Sequence, residues 1–231
     1  MCGRFVLTTP ADALAAEFAA ATGGLVLRPR YNIAPMQDVV VVRSVEGRRE
    51  LAMLRWGLIP SWARDPAIAS KLINARSETA AEKPSFRNAM KKRRCIVPAT
   101  GFYEWKREGT RKQPWYFHAR TASPLAIAAL WESWKSPEGD AVETCCLLTT
   151  AANAVLAPVH DRMPVLLDHD AALRWLDPAV GDPRTLEGLL KPAPASSLAA
   201  HPVSSAVNSV RNDGPGNIEE TEGGPQRQLP F

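Results

Sequence analysis

Apolar positions along this chain fall mostly into short runs broken by Gly, Pro and charged residues, and that spacing predicts strands more often than helices. Residues 5–7 read as a strand just after the start of the chain. Thr9 as N-cap with Pro10 in the first turn predicts a helix over 13–21, ended by Gly23-Gly24. The runs 39–42 and 51–54 flank Glu46-Gly47 and read as a hairpin. Helical spacing covers 75–81 and 86–92, with Pro84 between. Strand-like runs follow at 95–97, 102–105, 115–118, 125–130 and 144–148. Thr150 is a candidate cap for a helix reaching Leu156. Residues 165–167 then read as a strand, and 171–176 and 186–190 as helices. From Ser204 onward the chain is polar and rich in Gly and Pro, so this tail either wraps the domain or is partly disordered. The expected fold is α+β: one domain, with a largely antiparallel, barrel-like sheet flanked by short helices.

Composition narrows this picture. The chain has 231 residues, 45% of them hydrophobic, which suits one sizeable core. Its 20 prolines exceed the roughly 5% average usage and favour turns over long helices. A net charge of +4 is compatible with a nucleic-acid groove without requiring one. No stretch approaches the ~20 apolar residues of a membrane span, and no basic flank leads into an apolar signal core. A cytoplasmic protein with no membrane partner is therefore expected, and a monomer is expected as well. Cys2, Cys95, Cys145 and Cys146 form no CxxC pair, so neither a metal site nor a disulfide framework is expected, nor any cofactor. The last three lie in apolar runs and read as buried, inert thiols.

Cys2 is different. Removal of Met1, expected before so small a residue, would leave Cys2 with an α-amine and a thiol on adjacent carbons. Their ordinary pKa values of about 8 and about 8.5 make both usefully nucleophilic near neutral pH. Such a pair condenses with an aldehyde first to an imine and then to a five-membered thiazolidine. The bland alternative is an N-terminal Cys retained by chance.

Eight motifs run in order along the chain: Cys2-Gly3-Arg4, Tyr31-Asn32-Ile33-Ala34-Pro35, Trp56-Gly57-Leu58-Ile59-Pro60 and Asn74-Ala75-Arg76-Ser77-Glu78-Thr79, then Arg94-Cys95-Ile96-Val97-Pro98, Gly101-Phe102-Tyr103-Glu104-Trp105, Leu130-Trp131-Glu132 and His160-Asp161-Arg162-Met163-Pro164. In this order and spacing they closely resemble the SRAP (SOS response-associated peptidase) family of abasic-site processing proteins. The likeness covers residues 2 to about 219; residues 220–231 carry no motif and read as a polar tail. It implies a protein that traps abasic sites in single-stranded DNA as a protective, reversible covalent adduct, with some strand-cleaving β-elimination through the imine.

The site residues follow from their own chemistry and from this resemblance. Glu104 sits among aromatics, where desolvation would raise its pKa toward neutrality. The resemblance makes it the general acid/base beside Cys2; the alternative is a strand-edge Glu facing solvent. His160 could protonate the ring oxygen of the closed sugar and expose the aldehyde, or be a structural histidine. Asn74 could hold a sugar hydroxyl or the Cys2 amine, and Arg76 a phosphate. The alternative for these two is a helix cap with an Arg76–Glu78 surface pair. Arg4 is a candidate second phosphate contact. The basic run Arg87…Arg94, with Trp56, Trp62 and Phe86 nearby, could form a charged groove with stacking platforms, although such runs are usually solvated faces. Trp131, Trp134 and Trp175 read as core. A different chemistry also remains open: a cysteine peptidase, able to remove Met1 itself, with Cys2 as nucleophile, His160 as base and Asn74 or Glu104 orienting it.

Overall fold

The apolar runs on either side of Glu46-Gly47 form the expected hairpin, with both turn residues in the left-handed region that such a two-residue connection requires. In the computed structural model, which describes residues 2–221, this hairpin belongs to a closed barrel. The elements are β1 (Phe5–Leu7), α1 (Ala11–Phe18), β2 (Arg30–Ile33), β3 (Asp38–Val45), β4 (Arg48–Trp56), β5 (Asn74–Arg76), α2 (Ser77–Ala80), α3 (Arg87–Lys92), β6 (Arg94–Ala99), β7 (Gly101–Glu108), β8 (Arg111–Ala119), β9 (Leu125–Lys135), β10 (Ala141–Ala151), β11 (Arg162–Pro164), β12 (Leu166–Leu167), α4 (His169–Leu176) and β13 (Leu198–Pro202).

Strand pairing runs β4–β3–β6–β9–β10, and β10 returns to β4 in parallel at Thr144–Arg55 and Cys145–Trp56, so the ring closes. A second, antiparallel sheet has the order β13–β8–β7–β1–β2. Every residue of β6 and residues 125–130 of β9 are buried, because the barrel interior is filled while α4 covers these strands from outside. Their continuous apolar runs, without alternation, record that two-sided burial. The fold class therefore agrees with the expectation from sequence.

Several local readings need correction. Residues 74–76 form a strand, because their backbone pairs with Leu147–Thr149 of β10; the helix is limited to Ser77–Ala80. Helical spacing is overridden here by a sheet partner distant in sequence. α1 has Pro10, not Thr9, at its N-cap, and it ends at Phe18, where left-handed Ala19, not the glycine pair, closes it. Thr150 lies inside β10; Asn153 caps the following turn, its Oδ1 accepting from the amides of Val155 and Leu156 at 3.1 Å each. Residues 183–189 form a 3-10 turn instead of an α-helix.

The segment after Ser204 wraps the domain up to the last described residue; residues 222–231 of the expected tail lie outside the described residues. Buried Asn32 donates to the carbonyls of Ser209 and Asn212 at 2.9 and 2.7 Å, fastening this strap against β2. Tyr103 Oη donates to the Tyr31 carbonyl at 2.8 Å on the same face.

Candidate active site

Antiparallel pairing of Phe5 with Phe102 and Val6 with Gly101 fixes how the chain start meets β7. The Tyr103 amide donates to the Arg4 carbonyl at 3.0 Å, so Gly3 and Cys2 run on beside Glu104. Asn74, at the first position of β5, donates through Nδ2 to the Cys2 carbonyl at 2.8 Å. Its Oδ1 is buried and has no partner among the described residues, leaving an acceptor beside Cys2. Trp56 explains why Asn74 is so well placed: its Nε1 donates to the carbonyl of Ile73, the preceding residue, at 2.8 Å. His160 ends the loop after β10 and lines a cleft of about 460 Å³ together with Glu104, Arg4 and Trp105. Cys2, Asn74, Glu104 and His160 thus come together from four separate parts of the chain.

Electrostatics within the site are set mainly by burial. Cys2 is fully buried, and burial first, then the Glu104 charge, pushes its thiol well above the ordinary range. The expectation of a thiol already reactive near neutral pH is corrected accordingly; it needs a base. Burial also raises the Glu104 carboxyl, partly offset by the charge of the amino terminus and then by His160. Nδ1 of His160 accepts from the Arg162 amide at 2.9 Å and lies 3.0 Å from the Asp161 carboxylate. The neutral ring is thus supported by the amide and the protonated ring by the carboxylate. With Nδ1 accepting from the amide, the neutral ring carries its proton on Nε2.

The remaining candidates divide. Arg76 is exposed, and Glu78 forms its hydrogen-bonded pair with Arg162, at 2.6 and 2.8 Å, instead of with Arg76. Arg4 lines the cleft, but its Nη1 is committed to Asn32 Oδ1 at 2.7 Å and the Val207 carbonyl at 2.8 Å. Trp62 is 55% exposed and has a face available for stacking. Trp56 and Phe86 are corrected: both are buried in the core, Trp56 against Phe5, and neither presents a ring to solvent. Trp134 and Trp175 are core residues, while Trp131 is half-exposed beneath the Arg43 guanidinium. The basic run is also less cationic than it reads. Arg93 pairs with Glu132 at 2.7 Å, and buried Arg94 donates to the carbonyls of Trp175, Met90 and Lys91.

Sequence reasoning missed Trp105, Arg107, Lys112 and Asn208, which complete the cleft wall. Trp105 donates to Asn208 Oδ1 at 2.7 Å and lies under the Arg4 guanidinium at 5.8 Å. The alternation Tyr103, Trp105, Arg107 was a readable sign that these residues share one strand face; nothing local announced Asn208.

Known proteins bear on this geometry. The family model described as SOS response associated peptidase (SRAP) matches residues 1–210. The chain is 42% identical over 224 residues to the abasic site processing protein YoqW of Bacillus subtilis, covering 95% of this chain and 99% of that protein. It is 34% identical to the abasic site processing protein YedK of Escherichia coli, covering 93% and 97%. Among solved structures, a protein from Bacteroides thetaiotaomicron superposes with a TM-score of 0.88 at 26% identity, covering 96% of this chain and all of that one.

Proposed function

The chain belongs to the SRAP family, and from that premise we propose that it processes abasic sites in single-stranded DNA by forming a reversible covalent adduct through Cys2. The observation that carries this reading is Cys2 held by Asn74 beside a buried carboxyl, Glu104, which itself lines a cleft bordered by cations.

The abasic sugar is mostly a closed hemiacetal and must open before it reacts. His160 donates a proton to the ring oxygen, water takes the proton of the anomeric hydroxyl, the bond from C1′ to the ring oxygen breaks, and C1′ becomes an aldehyde. The α-amine of Cys2, freed by loss of Met1 and held by the Asn74 oxygen, attacks C1′; water leaves and an imine remains. The Cys2 thiol then adds across the C=N bond. Sulfur bonds to C1′, Glu104 takes the thiol proton, and Glu104 returns it to nitrogen. The raised thiol supports this order: the amine acts first, and sulfur follows with a base beside it. Reversal runs the same transfers backward and readmits water. Loss of a C2′ proton at the imine stage would expel the 3′ phosphate as a side reaction. A peptidase fits less well, since it needs a readily formed thiolate and this thiol is pushed up.

The test is to incubate the mature protein with single-stranded DNA carrying one abasic site and to analyse it under denaturing conditions. A denaturant-stable complex is expected; its absence would end this reading. Arg76 extends exposed from β5, and Arg76→Ala should weaken binding to all single-stranded sequences equally. It should flatten the salt dependence by about 0.7 in the log–log slope, one phosphate contact. A sequence-selective loss would mean that Arg76 reads bases.

A further inference from the structure

The two faces of the β7–β8 hairpin carry different charge. Register pairs Glu108 with Arg111 and Lys106 with Gln113, and Lys106 Nζ lies 3.1 Å from Glu108. On that face each cation has an acid beside it. On the other face Arg107 stands directly opposite Lys112. Both are exposed, and neither has an ion-pair partner among the described residues. Like charges directly opposite on neighbouring strands repel, so this arrangement destabilises the free hairpin. These two residues also line the cleft that holds Glu104 and His160. Arg107 follows Trp105 on the same strand face and lies about 10 Å beyond Glu104 along β7, at about 3.3 Å per residue. A repulsive pair aimed into a ligand cleft is relieved by an anion placed between the two charges.

We propose that Arg107 and Lys112 form an anion subsite that grips a backbone phosphate of the strand flanking the reacting nucleotide. This subsite is separate from Arg76 on β5 and rests on the single-stranded DNA reading given above. The planar guanidinium supplies paired donors and the ammonium a point charge, so a phosphate is held from both strands of the hairpin at once.

Non-covalent binding of an undamaged single-stranded oligonucleotide, measured against salt, tests this without requiring adduct chemistry. The double variant Arg107→Gln/Lys112→Gln should lower the slope of log K against log salt by about 0.7, the one phosphate that the pair neutralises on a single strand. The control Lys106→Gln/Arg111→Gln, on the opposite face, should leave the slope unchanged. Without DNA the first double variant should unfold at or above the wild-type temperature, because the repulsion is gone. A wild-type slope in the first variant, or an equal drop in both, overturns the subsite. Should wild-type protein bind the oligonucleotide in this way but form no adduct with abasic DNA, the functional reading fails while the subsite stands.

Discussion

Protein that keeps Met1 should form no denaturant-stable adduct with abasic single-stranded DNA, whereas chain starting at Cys2 should. With Met1 in place the nitrogen of Cys2 is an amide, its lone pair delocalised and unable to attack C1′. The thiol cannot substitute for it, being fully buried and pushed well above its ordinary range. Binding of single strands should survive, because Arg76 and the hairpin cations are untouched. Cys2→Ser in trimmed protein isolates the second step. The amine remains, so an imine forms and borohydride traps it, but no sulfur closes the ring. Both proteins are compared on denaturing gels with and without borohydride. Normal adduct from verified untrimmed protein would remove the amine from the mechanism.

His160→Ala and Glu104→Gln should each slow adduct formation by about 10²-fold, the usual contribution of one positioned proton carrier, but only Glu104→Gln should slow release to a comparable degree. His160 serves ring opening, which precedes bond formation to the protein. Glu104 serves the transfers between sulfur and nitrogen, which run in both directions. Stability gives an independent sign. Burial raises the Glu104 carboxyl in the folded protein, so the fold binds more protons than the unfolded chain between the ordinary Glu range and the raised value. Wild-type stability therefore falls as pH rises through that window, and Glu104→Gln escapes the fall. The variant should gain on wild type as pH increases from 4 to 8. Release at the wild-type rate would reduce Glu104 to a structural carboxyl.

How much of this was legible in the sequence depended on whether the signal was local. The runs at 95–97 and 125–130 announced strands buried on both faces, and their burial in the barrel wall follows. Cys2, Glu104 and His160 stood out because few side chains carry their chemistry. Asn74–Arg76 did not read as a strand, because the partner that makes it one, β10, lies some seventy residues away. Aromatic type alone says nothing about facing: Trp62 is exposed, while Trp56 and Phe86 are core. Arg94 read as a surface cation and is instead a buried brace for backbone carbonyls. The strap that positions Arg4 through Asn32 and Val207 is likewise a contact between distant segments, visible only once folded.

Mass analysis of the adduct is the most direct test of the central claim that the Cys2 aminothiol is the reacting group. Trimmed protein is incubated with a single-stranded oligonucleotide bearing one abasic site, and the complex is weighed intact and then digested. The account predicts a mass equal to Met-free protein plus DNA minus one water, with the link mapped to Cys2 and sulfur included in it. A link to any other residue, or an adduct of equal yield on protein that still carries Met1, would contradict it.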